Sequence, residues 1–368
     1  MTWEPERLDD QHHLTECDPG GMLRAVAGSA AQVRTGHRVA VESGVDRLVA
    51  DVRPRAVVVV GMGGSALAGD LLAAVCGQGA PIPVVTVRSY QLPGWVGATD
   101  LVIAVSWSGE TGETISMATE AVRRGCTLLA VGPAGSALEA VAVQSSSVYV
   151  PIPTEGRPRA DLWLVTTPLV VAASALGLVR TEPTVYERVA RVLEEVAHRC
   201  RPSSDSFLNP GKTLAMDLAE TVPMIWGSSP LAAAAAARFA ARLNEDAKYP
   251  ALFGELPEAG HNQVAVFDGP LAERDIFADT ATRTLRLVLL RDLDEHPRVT
   301  SAREAVVRLA QDRDVLVTEL AADGDHPLER LASLIGPADF ATTYLALGYG
   351  LDPTPVGPIT ELRARVTH

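Results

Sequence analysis

An excess of basic charge is missing from this chain. Its 368 residues carry 32 Lys and Arg against 45 Asp and Glu, a formal net charge of −13, which argues against nucleic-acid and anionic-membrane partners. Any anionic ligand must therefore be captured by local donors against a repulsive overall field. Cysteine is scarce too: Cys17, Cys76, Cys126 and Cys200 are far apart, with no CxxC pair and no histidine spacing suited to zinc. Free thiols in a reducing compartment are expected, and no metal. Aromatic residues make up only 5%, so the cores must be built mainly from Val, Leu and Ala. No apolar run reaches membrane-spanning length, because the nearest, from Leu162 to Leu178, is interrupted by Thr166, Thr167 and Pro168. The N-terminal stretch is polar and acidic, without the apolar centre of a signal peptide. These absences point to a cytoplasmic protein.

The length allows two domains, and the 47% hydrophobic fraction is that of a globular protein. Strand-like runs at Ala56–Val60, Pro83–Val87, Leu101–Val105, Thr127–Val131 and Ser147–Ile152 alternate with helix-length segments, the pattern of a doubly wound parallel sheet. A buried helix over Leu162–Leu178 and another from Pro183 towards Arg199 follow, and Arg201-Pro202-Ser203-Ser204 reads as a linker. A second series has strands expected at Thr221–Trp226, Gln263–Phe267, Thr284–Leu290 and Asp314–Glu319. Helices are expected over Leu231–Leu243, Ala302–Gln311 and Pro327–Ile335. The expected layout is an N-terminal helical segment over 1–50, one α/β domain over 51–200, a second over 205–350, and a C-terminal segment over 351–368.

Two loops stand out in the first half. Gly61-Met62-Gly63-Gly64-Ser65 follows the first apolar run and leads into a helix, so glycine backbone and the helix N-terminus can approach one anion. Ser106-Trp107-Ser108-Gly109-Glu110-Thr111 follows the third and supplies hydroxyls, the donors that a phosphate with several acceptor oxygens requires. Gly61-x-Gly63-x-x-Ala66 also fits a loose dinucleotide fingerprint, with Arg88 after the second strand able to meet a 2′-phosphate. That alternative leaves the second loop unexplained. The second half offers only a partial echo, Trp226-Gly227-Ser228-Ser229-Pro230, so the anion site is assigned to the first half.

The densest run of reactive side chains lies between Asn244 and Asn262, and four Pro and Gly residues make most of it a loop. Glu245 falls at the end of a helix, where a carboxylate opposes the macrodipole and, if buried, gains proton affinity, which suits a proton-abstracting base. A solvated acidic loop with an incidental histidine is the plain alternative.

The two loops, together with Leu243-Asn244-Glu245-Asp246-Ala247-Lys248 and Pro257-Glu258-Ala259-Gly260-His261-Asn262, stand in the order and spacing of one group. The chain resembles the sugar isomerase (SIS) domain proteins, most closely the bifunctional phosphoglucose/phosphomannose isomerases, from about Val57 to the C-terminus. The resemblance implies an α/β fold of two SIS domains, each a doubly wound five-stranded parallel sheet flanked by helices, and a homodimer with an active site shared between subunits. It implies a hexose 6-phosphate substrate, aldose–ketose isomerisation and no cofactor. Carried over by motif, Gly63, Gly64 and Ser65 approach the sugar, while Ser106, Ser108 and Thr111 bind its phosphate. Glu245 matches the family's base, His261 its ring-opening histidine and Arg159 the arginine that steadies the enediolate. Arg363 stands where the family has a catalytic lysine, in a chain with only two lysines, Lys212 and Lys248. The phosphate loop also departs at Trp107, Glu110 and Gly112, and Glu110 must point away from a bound phosphate. A sugar-phosphate-binding regulator without isomerase activity is the second reading that these departures leave open, and a dinucleotide-dependent oxidoreductase is the third.

Overall fold

Four consecutive valines, Val57–Val60, form the interior strand β1 of a parallel sheet and are all buried. β-Branched side chains suit a strand covered on both faces, which is why an unbroken apolar run serves here instead of an alternating one. With β2 (Val84–Val87), β3 (Leu101–Val105), β4 (Thr127–Pro133) and β5 (Val148–Ile152) it makes a five-stranded sheet of order β2-β1-β3-β4-β5, every pair parallel. The computed structural model describes residues 2–46, 53–153, 155–272 and 284–366. The expected domain boundary at 50 and 51 lies outside the described residues. By internal contacts the chain forms two compact units. One comprises Met1–Ala27, Glu195–Asp325 and Arg330–His368; the other, Gly28–Glu194 and His326–Glu329, holds this first sheet.

Helices cover both faces of the first sheet. On one side Gly112–Arg123 and Ala137–Gln144 close over Val58, Val60, Val102, Ala104, Leu128 and Ala130. On the other, Gly64–Cys76 approaches so closely that a Cβ at Gly69 would lie 2.6 Å from the Thr86 hydroxyl and 2.8 Å from Val59. Behind it runs Leu162–Ala175, buried from Leu162 to Ala173, where Thr166 and Thr167 bond back to the carbonyls of Leu162 and Trp163 at 2.7 Å each. Pro168 leaves the Leu164 carbonyl without its helical donor. Gly36 of the helix Ser29–Glu42 packs against that carbonyl; a Cβ there would lie 3.1 Å away.

The other unit carries a parallel sheet of β6 (Thr221–Gly227), β7 (Leu252–Glu255), β8 (Thr284–Arg291) and β9 (Leu316–Ala321) in the order β7-β6-β8-β9. The α/β class is therefore the one expected, but this sheet has four strands among the described residues where five were expected. One expected strand is absent: Gln263–Phe267 lies in a 3₁₀ helix, Gln263–Asp268. Phe267 is the one fully buried side chain of that run and stacks on Trp226 at 5.9 Å, Val264 packs partly buried against the same core, and Val266 is exposed. Gln263 fixes the turn by accepting from the Trp226 indole at 2.7 Å and donating to the Phe253 carbonyl at 3.1 Å. The strand in this region is Leu252–Glu255, which sequence patterning merged into a loop.

Lys212 shows why a lysine persists in an arginine-dominated chain. Its ammonium is buried among the Asp9 carboxylate at 3.0 Å and the carbonyls of Pro202 and Ser204, each at 2.8 Å. Three convergent acceptors fit the three protons of an ammonium, not a planar guanidinium fork.

Replacing Gly69 with Ala gains about 1 kcal/mol of helix propensity but forces atoms into the space held by Val59 and Thr86, which typically costs about 1–3 kcal/mol. Chemical denaturation should show a net loss of stability for G69A; an unchanged or higher midpoint would contradict the tight helix–sheet packing.

Candidate active site

The strand order of the first sheet reverses at β1: the chain steps to β2 on one side, then returns to β3 on the other. In open α/β sheets, ligands bind in the crevice outside the carboxyl ends of the two strands at such a switch point. The pairing of Val60 with Ala104 brings the ends of β1 and β3 side by side, so both loops singled out in the sequence flank that crevice. Each opens a helix, Gly64–Cys76 and Gly112–Arg123, whose first-turn N–H groups have no intrahelical acceptors and whose dipoles favour negative charge. Gly63 has a φ of +53°, and a Cβ at Gly63 or Gly64 would meet no atom within 4 Å, so the backbone is open to close approach.

The second loop gathers its hydroxyls. Ser106 Oγ lies 3.0 Å from Thr111 Oγ1 and 3.4 Å from Ser108 Oγ, and Ser108 Oγ lies 3.3 Å from Thr111 Oγ1. Backbone amides orient them: Ser106 Oγ accepts from Gly109 N–H at 3.0 Å, Ser108 Oγ from Glu110 N–H at 3.2 Å, and Ser65 Oγ from Trp107 N–H at 3.2 Å. A hydroxyl that accepts from an amide keeps its own proton to donate. The last of these bonds also joins the two loops directly, so Ser65 faces the second loop. Glu110 points away, as a phosphate site requires: its Oε1 accepts from Ala137 N–H at 2.9 Å, at the start of the helix Ala137–Gln144.

Asp161 is a residue of this site that sequence reasoning missed. It lies after β5, two residues beyond Arg159, which is half-buried in the intervening turn. Its carboxylate accepts from the Trp107 indole at 2.9 Å and from Gln32 at 3.1 Å, and burial pushes its pKa up to about 6 despite the Trp107 bond. Nothing local in Pro158-Arg159-Ala160-Asp161 signals a partner 54 residues away. Arg88, the residue on which the dinucleotide alternative leaned, is held by Asp70.

The remaining expected site residues belong to the other unit. Glu245 is half-buried in the last turn of the helix Pro230–Asp246, which is fixed by buried ion pairs: Arg242 with Asp246 at 2.6 Å, and Arg238 with Asp339 at 3.0 Å. Lys248 follows with a φ of +55°, and its ammonium donates to the carbonyls of Asp246 at 3.0 Å, Asp352 at 3.2 Å and Pro353 at 3.4 Å. The turn at Asp352-Pro353 is thereby tied to the end of the Glu245 helix. His261 is exposed at the end of the 3₁₀ turn Glu258–His261, and Arg363 is exposed on the helix Gly357–Val366.

The corresponding crevice of the second sheet, at the ends of β6 and β8, holds a carboxylate of the protein itself. Asp292 N–H donates to Ser228 Oγ at 2.9 Å, as Trp107 N–H does to Ser65 in the first sheet. The buried Asp292 carboxylate accepts from Ser229 Oγ and Leu293 N–H, each at 2.8 Å, and lies 2.8 Å from Arg330. The echo Ser228-Ser229 is thus consumed internally.

Residues 207–366 match the model of the bacterial phospho-glucose isomerase C-terminal SIS domain. Over 94% of its length the chain is 29% identical to a bifunctional phosphoglucose/phosphomannose isomerase of Caldicellulosiruptor bescii, covering 98% of that protein. It is 28% identical to another of that name from Aquifex aeolicus, over 85% of this chain and 91% of the relative. In fold, this chain is similar to tagatose-6-phosphate ketose/aldose isomerase from Escherichia coli, at a TM-score of 0.67 and 15% identity, covering 91% of this chain and 92% of that one.

The raised carboxyl of Asp161 has a consequence for this protein's stability. Because the folded state keeps a proton to about pH 6 that the unfolded state releases near pH 4, the stabilisation from that proton is full below pH 4 and is lost as pH rises through 6. Relative to Asp161→Asn, which cannot titrate, the parent should lose melting temperature between pH 4 and 7 and run parallel above. A constant difference across that range in paired thermal melts would refute the raised pKa.

Proposed function

We propose that this protein catalyses the reversible isomerisation of hexose 6-phosphates, glucose 6-phosphate to fructose 6-phosphate and mannose 6-phosphate likewise, through a cis-enediolate. The observation that carries the reading is the hydroxyl and amide cradle at the β1/β3 crevice. Its hydroxyl and amide donors converge beside the open backbone of Gly63 and Gly64, and the chain is similar over most of its length to relatives named for this reaction.

In this account Ser106, Ser108 and Thr111 hold the phosphate, and Gly63, Gly64 and Ser65 approach the sugar. The difficult step is breaking a weakly acidic C–H bond next to a carbonyl. Glu245 takes the C2 proton as the C2–H electron pair moves into the C1–C2 double bond, and the carbonyl oxygen gains the charge. The proton of the C2 hydroxyl passes to the C1 oxygen, and returning the carbon-bound proton to C1 as the C2 oxygen re-forms a carbonyl gives the ketose, so one carboxylate serves both directions. Arg159 and Arg363 stabilise the enediolate oxygens, and His261 assists ring opening. Arginine at 363 supplies charge without the proton transfer open to a lysine, so it is assigned electrostatic stabilisation only. No cofactor enters. A homodimer in a cytoplasmic setting, with an active site drawn from both subunits and two SIS domains at 51–200 and 205–350, completes the proposal.

Glucose, mannose and fructose 6-phosphates assayed side by side test it. Turnover of glucose or mannose 6-phosphate is expected, with Glu245→Gln lowering kcat by about 10²-fold or more at little change in substrate affinity. Binding of these sugars without turnover by the parent would instead assign a sugar-phosphate sensor, and an undiminished rate in E245Q would remove Glu245 as the base.

A further inference from the structure

We infer that Asp161 is a positioning residue for the phosphate cradle, acting through Trp107. The inference rests on the reading of the β1/β3 crevice as the phosphate site and adds to it the part that holds it in shape.

Three segments meet at this carboxylate. Its Oδ2 accepts from Trp107 Nε1–H at 2.9 Å, in the loop after β3, and its Oδ1 accepts from Gln32 Nε2–H at 3.1 Å, on the helix Ser29–Glu42. Asp161 itself begins the helix Leu162–Ala175 and is 4% exposed. Gly156 packs over it so closely that a Cβ there would lie 2.1 Å from Oδ2, leaving the carboxylate little freedom. The indole is thus fixed at its outer edge, and its own backbone N–H is aimed at Ser65 Oγ, 3.2 Å away.

That second bond gives Asp161 its reach into the site. Trp107 N–H occupies a lone pair of the Ser65 hydroxyl, which leaves the Ser65 proton to donate towards the crevice. If the indole loses its acceptor, the Trp107 peptide is no longer held in register. Ser65 then regains rotational freedom, and Ser106 and Ser108, on either side of Trp107 in the chain, lose the arrangement their backbone amides impose. A partly buried indole N–H without a partner is itself unfavourable, so the loop would move to satisfy it. Asp161 need not touch the ligand for this. Its effect should fall on grip of the phosphate group more than on proton transfer at the sugar carbons.

Three variants separate this role from plain structural support. Trp107→Phe removes the indole donor, Asp161→Ala removes the acceptor, and Asp161→Asn keeps an oxygen acceptor for the indole without the charge. Calorimetric titration with inorganic phosphate and with glucose 6-phosphate reads binding independently of catalysis. W107F and D161A should weaken both ligands by about tenfold, raising KM by a similar factor and lowering kcat by less. D161N should stay within about threefold of the parent. Circular dichroism and melting temperature check each variant's fold, and W107F, which leaves the buried carboxylate and its Gln32 partner in place, carries the test if D161A does not fold. Parent-like affinity in folded W107F, or D161N as impaired as D161A, would overturn the inference. Should the parent bind neither ligand, the phosphate reading of the crevice falls first and the role of Asp161 with it.

Discussion

The candidate site depends on one pairing, β1 against β3, and on the single hydrogen bond that extends it beyond the sheet, from Trp107 N–H to Ser65 Oγ. Strands alone would only bring two loop origins near each other. The bond makes the loops one surface, with two helix N-termini behind it and the Ser106–Ser108–Thr111 cluster at its edge. Closely packed interiors support this, because the glycine contact between Gly69 and Val59 leaves the first helix no other depth at which to lie.

A chain of net charge −13 has reason to grip an anion with neutral groups. Backbone amides, hydroxyls and helix termini act over a few ångströms and need no counter-charge of their own. Glu110 shows how a carboxylate in the loop itself is kept harmless: it caps a neighbouring helix instead of facing the cradle. In the second sheet the same geometric opportunity is filled by Asp292, and the donors that could have met a ligand meet a side chain. Similar folds therefore differ in what their crevices can hold because of one residue's placement.

Much of the architecture was legible in the sequence, for identifiable reasons. All five strands of the first sheet lie within a residue or two of the expected runs, because buried parallel strands are long β-branched stretches bounded by glycine and polar turns. The helix Pro230–Asp246, which carries Glu245, was legible from its alanine-rich run. Legibility failed where burial is decided by few side chains: Gln263–Phe267 has a strand's composition, yet Phe267 is its only fully buried residue, and the backbone coils to place it against Trp226. Within the site, the loops could be found by their glycines and hydroxyls. The orientation of Glu110 and the partnership of Asp161 with Trp107 could not, since both depend on contacts between segments distant in the chain.

Two ammonium groups, each caged by oxygens, are the only lysines in the molecule. Lys212 is sealed in the interior, and Lys248 is already engaged with three carbonyls. Side-chain amine chemistry, whether an acylating reagent, an aldehyde or a crosslinker, therefore finds a single exposed target here, Lys248. The rest of the outer positive charge is largely guanidinium, which stays protonated and ignores such reagents, so a surface that looks ordinary by charge offers the commonest side-chain labels one place to attach.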